Sequence, residues 1–211
     1  FYGWPDLYTP FNVDETENLQ TNLLMLNHRV SFGGDGYLQI GSYYRRNKDH
    51  YEFDRFIPGL YGPYQHTTWV YGTGFDGRYD FGAFTLNFSG DAMADNLKST
   101  TLIYGRFHTR DYEKLSLVPE KSWQLDATRR LTVKAGATYD GTNRDGAVVS
   151  PLAEAAIEQA LANGGTLRTW LGYAETAQVP DYTALNSSPT SGLFLGNPAL
   201  SWETSRNLEL G

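Results

Sequence analysis

Apolar and polar residues alternate along most of this chain, in runs separated by glycine-rich or charged segments. Residues 131–139 show the pattern most cleanly: the odd positions are Leu, Val, Ala, Ala and Tyr, and the even positions are Thr, Lys, Gly and Thr. Successive side chains of a β-strand point to opposite faces of a sheet, so a repeat of two indicates a strand with one apolar and one polar face. We therefore predict an all-β fold.

The order of the connections indicates an antiparallel barrel wall. Eight or nine strands are predicted, at 19–32, 37–48, 67–75, 79–88, 111–125, 131–139, 152–161, 166–177 and a last strand through 208–211. Short turns near residues 34, 77, 127 and 163 alternate with long connections near 57, 98, 145 and 190. Outer-membrane barrels have short periplasmic turns and long extracellular loops. The sequence thus predicts a segment of an antiparallel transmembrane β-barrel, with the Asp76-Gly77 pair as one of its tight turns.

Residues 151–161 fit two structures. They are rich in Ala, Leu, Glu and Gln, and Ser150, Pro151 and Asn163-Gly164 suit the two ends of a helix. A repeat of two also holds, with Glu154 and Glu158 on one face. Because the segment lies between a predicted external loop and a glycine-rich turn, we predict a strand, with a helix as the alternative.

Composition narrows the functional classes. Aromatic residues make up 15% of the 211 residues, and the net charge is −7, which argues against a nucleic-acid partner. Without cysteine there is no disulfide and no thiolate metal site. Aromatic residues near strand ends suit the interfacial girdles of a membrane barrel, although ordinary sheet packing explains any single one equally well. These are Tyr37, Tyr43, Tyr44, Trp69, Phe75, Tyr79, Tyr139 and Tyr173.

No set of residues indicates catalysis. The four histidines lack metal-ligand spacing, and there is no Gly-x-Ser-x-Gly motif around a serine nucleophile. The carboxylates of Asp49, Glu52 and Asp54 lack the spacing of a calcium loop. We predict that the chain is not an enzyme and has no catalytic residue, metal site or cofactor.

The most specific motif is the segment from Asn197-Pro198 through Glu203 and Ser205 to Glu209-Leu210-Gly211. It resembles the Asn-Pro-x-Leu-x-x-Glu-x-Ser-x-x-x-Glu-Leu-Gly segment of TonB-dependent outer-membrane receptors. Residues 150–180 are similar to the block that precedes this segment in the family, with Ala177 where many members have an aromatic residue. Residues 1–3, 15–17, 43–49 and 106–112 resemble the middle of the barrel in cobalamin- and siderophore-type members more loosely.

The resemblance implies a 22-stranded barrel around an N-terminal plug, in the outer membrane of a Gram-negative bacterium. Such a receptor imports a scarce small molecule, for example siderophore-bound iron or cobalamin, with energy from the TonB complex. Residues 1–211 would then be part of the barrel domain, with the plug and the C-terminal strands outside them. The implied partners are outer-membrane lipid, the plug of the same full-length chain, the TonB complex reached through its N-terminal part, and the small-molecule ligand. A small non-transporting outer-membrane barrel and a soluble secreted carbohydrate-binding module are the alternatives.

Two sets of candidate site residues follow. Residues 49–66 combine aromatic rings with a cation, which suits a bulky, anionic ligand, although a loop packed on its neighbours is the alternative. The ligand-binding candidates are Tyr51, Phe53, Arg55, Phe56, Tyr61, Tyr64 and His66. Residues 187–195 are a second, weaker candidate loop. The predicted lumen-facing charged residues, which would contact the plug or a water-filled pathway or simply pair along the wall, are Arg45, Lys134, Glu154 and Arg168.

Overall fold

The structure is a computed structural model that describes residues 15–57, 64–102, 108–187 and 195–211. It contains nine strands and one short helix within these ranges. The strands are β1 (Thr16–Gly33), β2 (Gly36–Glu52), β3 (Tyr64–Asp80), β4 (Thr85–Ser99), β5 (Thr109–Gln124), β6 (Arg129–Thr142), β7 (Gly146–Ala160), β8 (Thr166–Gln178) and β9 (Glu203–Leu210). The helix α1 (Tyr182–Asn186) lies between β8 and β9. No helix in the described ranges has the length and apolar character needed to cross a membrane.

All nine strands form one antiparallel sheet in the order of the sequence, with β1 and β9 at its edges. The prediction of an all-β, antiparallel barrel segment is confirmed. Strands β1 to β8 have 13 to 18 residues, more than the roughly 9–11 that a transmembrane strand needs. One end of the sheet, the turn end, carries the short connections. The other, the loop end, carries the described residues 53–57, 100–102, 108, 143–145, 179–187 and 195–202.

The strand register divides the side chains between two faces. In β2 to β9 every exposed large apolar side chain lies on one of them, which we call the outward face. They are Ile40, Tyr44, Tyr71, Phe75, Tyr79, Leu115, Leu117, Trp123, Tyr139, Val149, Ile157, Leu167, Leu171, Tyr173, Leu208 and Leu210. The buried strand residues Val70, Asp95 and Ser150 lie on the opposite, inward face. An apolar exterior and a polar interior are the two sides of an outer-membrane barrel wall.

Aromatic rings gather at both ends of the outward face. At the turn end the Phe81 ring centroid lies 4.8 Å from that of Tyr79 and 5.0 Å from that of Phe84. Towards the loop end Tyr44 pairs with Tyr71 in register. Of the eight predicted girdle residues, all face outward except Tyr37 and Tyr43, for which the prediction is wrong. Both occupy odd positions of β2, which point inward with their register partners Arg78 and Gly72 of β3.

The predicted turn at Asp76-Gly77 is wrong, because β3 continues through both residues. Gly77 is required by packing, since a Cβ there would overlap the ring of Phe88 on the neighbouring strand. The chain turns instead at residues 81–84, where the Phe81 backbone N–H donates to the Phe84 carbonyl oxygen at 2.9 Å. Gly82 adopts a φ of 79° there, a conformation that favours glycine.

Several predicted connections are shorter than the sequence suggested. The region of residues 140–149 is mostly strand, with a tight turn at 143–145, and β4 extends to Ser99 into the predicted connection of 89–110. Residues 151–161 are a strand as predicted, since β7 covers all of them but Leu161. The short helix α1 was not predicted. Residues 1–3, 106–107 and 188–194, on which parts of the resemblance and the second candidate loop rest, lie outside the described residues.

Candidate functional site

Three candidate ligand-binding residues meet on the inward face at the loop end. Tyr51 on β2 and Tyr64 on β3 are direct partners in the strand register, with ring centroids 5.8 Å apart. His66 follows on the same face of β3, opposite Asp49. Because the register sets this arrangement, the three side chains form a half-buried aromatic surface at the top of the inward wall.

Two further candidates lie beyond the end of β2 and are exposed. The Phe56 backbone N–H donates to Asp54 Oδ1 at 2.9 Å, and the Arg55 guanidinium carbon lies 4.5 Å from the centroid of the Phe56 ring. The Phe56 side chain is 70% exposed. A cation held on the face of an exposed ring offers charge and apolar area together. Phe53 is half-buried beside them, and Tyr61 lies outside the described residues.

A buried polar cluster that was not predicted from the sequence holds α1 on the inward face. The carboxylate of Asp95 on β4 receives Arg110 Nη2 of β5 at 3.0 Å and the Tyr182 hydroxyl of α1 at 2.5 Å. The same hydroxyl lies 3.1 Å from the His108 carbonyl oxygen. Asp95 is 6% exposed, and a buried carboxylate needs such partners to remain charged. We call Asp95, Arg110 and Tyr182 the α1 anchor.

Arg110 also binds the segment that leads into α1. Its Nη1 donates to the Pro180 carbonyl oxygen at 2.9 Å, and its guanidinium carbon lies 3.7 Å from the centroid of the Tyr182 ring. Burial and the hydrogen bond to Asp95 raise the pKa of Tyr182, so the phenol stays a neutral donor. The Asp181 side chain caps the helix by accepting from the Ala184 N–H at 2.6 Å. Strands β4 and β5 thus fix the long connection over the loop end.

The Asn-Pro motif forms a second attachment of the same connection. The Asn197 N–H donates to the Ala184 carbonyl oxygen at 2.8 Å. Arg144, in the tight turn after β6, donates through Nη2 to the carbonyl oxygens of Pro198 at 2.7 Å and Leu200 at 2.8 Å. The Asn-Pro motif therefore attaches the connection between β8 and β9 to α1 and to the turn after β6. The role of Arg144 could not be read from its position in a predicted loop, because its partners are backbone atoms more than fifty residues away.

Three of the four charged candidates form part of a ladder across the inward face. Glu154 Oε1 lies 2.6 Å from Arg168 Nη2 and 3.8 Å from Lys134 Nζ. Lys134 Nζ is also 3.9 Å from Glu120 Oε2, and Glu120 binds Arg78 at 3.1 Å. The five side chains, which we call the charge ladder, alternate in sign from β3 to β8.

The fourth charged candidate, Arg45, faces inward apart from the charge ladder. Its register partners are Leu23 on β1 and Val70 on β3. It makes no ion pair within the described ranges. Arg78 was missed because it followed the wrongly predicted turn at Asp76-Gly77, and Glu120 was missed because a single sequence does not reveal the register between strands. Contact of any of these residues with a plug or a pathway stays a prediction.

Comparison with known proteins adds one finding. The chain matches, over residues 1–211, the family model described as TonB dependent receptor-like, beta-barrel. Neither the curated proteins nor the solved structures contain a match. The match covers the sheet, the α1 anchor and the Asn-Pro segment alike.

Proposed function

The chain belongs to the TonB-dependent receptor family, as part of its β-barrel domain, and we propose that the protein imports a scarce small molecule with energy from the TonB complex. Membership of this family makes it an outer-membrane receptor and transporter. Siderophore-bound iron, cobalamin or a compound of similar size is the proposed cargo. The protein is proposed to work in the outer membrane of a Gram-negative bacterium without catalysing a reaction.

Ligand capture is proposed at the loop end, and the exposed Arg55–Phe56 pair carries this proposal. The cation lies 4.5 Å from the centroid of a ring that is 70% exposed. The Tyr51 and Tyr64 rings continue the aromatic surface inward. A bulky ligand with apolar area and negative charge matches such a surface, because rings offer contact area and the guanidinium offers charge. Tyr61, Phe53 and His66 complete the proposed set.

The inward face supports a proposed plug from the same full-length chain. Leu19, Leu23 and Met25 point inward from β1 and are 61%, 58% and 57% exposed. Three exposed apolar side chains on one strand are unusual for a polar lumen, and a protein surface packed against them would remove them from water. The charge ladder has three cations and two carboxylates, so it offers one excess positive charge to the same partner.

The two edges of the sheet support a larger barrel. Within the described residues, β1 and β9 each have a neighbour on one side only. Unpaired backbone groups are not tolerated in the hydrocarbon region, which favours further strands beside both edges. We propose that they bring the barrel to the 22 strands typical of the family, with the plug and the contact to the TonB complex supplied by other parts of the full-length protein.

The outward face argues against a soluble secreted carbohydrate-binding module. Sixteen large apolar side chains of β2 to β9 are exposed on this one face. Soluble monomers rarely expose a contiguous apolar patch of more than a few hundred square ångströms.

Uptake in cells tests the proposal. Cells that produce the full-length protein are given ferric siderophores, cyanocobalamin and haemin in labelled form, with and without a functional TonB complex. We expect one of these probes to accumulate only when the TonB complex is present, and its binding to intact cells to fall in Phe56→Ala and Arg55→Gln. Leu161→Ala, an exposed apolar residue at the turn end, is the matched control. Uptake that does not depend on the TonB complex would overturn the proposed transport, and unchanged binding in both loop variants would overturn the proposed site.

A further inference from the structure

Three cations form a patch on the outward face near the loop end. Arg46 and Lys48 point outward from β2, and Lys98 points outward from β4. We call these three residues the basic patch. Arg46 and Lys48 are half-buried and Lys98 is exposed. The chain as a whole has a net charge of −7, so a cluster of positive charge on the lipid side is not a consequence of composition.

The register places the three side chains close together. Lys48 and Lys98 flank the same residue of β3, Thr67. Neighbouring strands lie about 4.8 Å apart, so these two backbones are about 10 Å apart. Arg46 and Lys48 are two residues apart on one strand, which separates them by about 7 Å. Long side chains bridge such distances, and the three charges can therefore meet on one ligand.

The patch lies at the upper border of the apolar band. Directly below it on the outward face are the rings of Tyr44 and Tyr71. Tyr44 is eight residues above the start of β2 at Gly36. Eight residues span about 26 Å along a strand, or about 20 Å of height at a tilt of roughly 40°. Since the apolar band of outer-membrane barrels is about 25 Å tall, Arg46 and the lysines above it lie at the level of the lipid headgroups.

Among the described residues, the basic patch has no counter-charge in an ion pair. Across the described ranges, no carboxylate forms an ion pair with Arg46, Lys48 or Lys98. The nearest outward carboxylates along the sheet are Glu52, which binds His50 at 3.0 Å, and those of β5. Three neighbouring like charges repel one another, and an external anion would relieve that repulsion.

Polar uncharged groups surround the three charges on the same face. Gln20 pairs with Lys48, and Asn22 pairs with Arg46 from β1. Asn96 and Thr67 lie next to them on β4 and β3. Amides and hydroxyls bind sugar hydroxyls, whereas the cations bind phosphate. The combination fits a headgroup that carries both.

We propose that the basic patch binds the phosphate groups of a phosphorylated glycolipid in the outer leaflet of the outer membrane. The cations neutralise the phosphates, and the amides of β1 and β4 hydrogen-bond the sugar. The loop end is the extracellular end of a wall with this arrangement of turns and loops, which places the patch in the outer leaflet. This proposal rests on the outward face lying in the outer membrane, and it is independent of the cargo.

Binding of purified lipopolysaccharide tests it. The full-length protein in detergent is titrated with lipopolysaccharide, with its enzymatically dephosphorylated form, with phosphatidylglycerol and with inorganic phosphate. We compare wild type with the triple variant R46Q/K48Q/K98Q and with the control R29Q/R45Q/K121Q. The control removes as many cations from the inward face and the turn end. Heat-modifiable electrophoretic mobility verifies that each variant is folded.

The attraction of a membrane anion for each Lys or Arg predicts a loss of affinity on the order of 100-fold in the triple variant. We expect the control variant to bind lipopolysaccharide with wild-type affinity. Dephosphorylated lipopolysaccharide should bind wild type weakly, with about the affinity that intact lipopolysaccharide has for the triple variant. Equal affinity of the triple variant and the control would overturn the proposal. Phosphatidylglycerol or inorganic phosphate binding as tightly as lipopolysaccharide would overturn the choice of a glycolipid.

Discussion

Removing one oxygen from the α1 anchor should loosen the helix without unfolding the sheet. In Tyr182→Phe the ring and its contact with Arg110 remain, but the hydroxyl that reaches Asp95 at 2.5 Å and the His108 carbonyl oxygen at 3.1 Å is lost. A hydrogen bond to a charged group contributes about 1.5–3 kcal/mol. Since each 1.4 kcal/mol is a factor of ten, the open form of α1 should become roughly 10- to 150-fold more populated.

Amide hydrogen exchange measures this opening directly. The reporters are the N–H groups of Leu185 and Ser187, which donate to the carbonyl oxygens of Asp181 and Thr183, both at 3.2 Å. Their exchange rates should rise by the same 10- to 150-fold factor, because exchange follows the population of the open state. Amides at the centre of β6 and β7 should exchange as in wild type, since the register of the sheet does not involve Tyr182.

Tyr173→Phe is the matched control. Its hydroxyl binds the half-buried carboxylate of Glu175 on the outward face, whereas the α1 anchor lies on the inward face. It should leave the Leu185 and Ser187 rates unchanged. The Tyr182 hydroxyl does not hold α1 if Tyr182→Phe leaves the helix amides protected, or if Tyr173→Phe exposes them to the same degree.

Three further predictions concern the sheet and its turns. Glu154→Gln should lower the free energy of unfolding in urea by no more than about 1 kcal/mol, because its pair with Arg168 is partly exposed; a loss of several kcal/mol would contradict this. Gly77→Ala should cost about 1–3 kcal/mol in the same assay, since the added Cβ overlaps the Phe88 ring, and a neutral substitution would show that the ring moves freely. Hydrogen bonds from the backbone of Thr128 and from the side chain of Arg129 hold the pKa of Asp126 below its usual range. The stability difference between wild type and Asp126→Asn should therefore be complete above about pH 4 and shrink as the pH falls further; thermal unfolding at pH 7 and pH 3 measures it, and a difference that grows at pH 3 would refute the sign.

The fold could be predicted largely because strand faces follow from a local rule. The period of two in residues 131–139 fixes which side chains of β6 share a face, and the observed register agrees. Residues 151–161 show the limit of local propensity, since Glu- and Ala-rich sequence favours a helix but the segment pairs on both sides as β7. Pairing with two neighbours outweighs a propensity difference of a few tenths of a kcal/mol per residue.

The errors arose where a local signal has two meanings. Asp-Gly is a strong turn signal, yet Gly77 serves close packing against Phe88 within a strand. The candidate site was predicted only in part for a related reason. Tyr51 and Tyr64 meet because of the register between two strands. The α1 anchor joins residues 87 positions apart. No sequence motif links Asp95, Arg110 and Tyr182, so a single sequence does not predict that they meet.

In the membrane, the outward face of the sheet should meet lipid and the inward face should meet water. Because the chain has no cysteine, single cysteines along β6 can carry a nitroxide label in the full-length protein in lipid bilayers. Accessibility to oxygen reports lipid, and accessibility to a water-soluble nickel chelate reports water. Labels at positions 131, 133, 135 and 137 should favour oxygen, and labels at 130, 132, 134 and 138 should favour the nickel chelate. If accessibility does not alternate from one residue to the next, or if the two faces are exchanged, this assignment of the lipid and water faces is wrong.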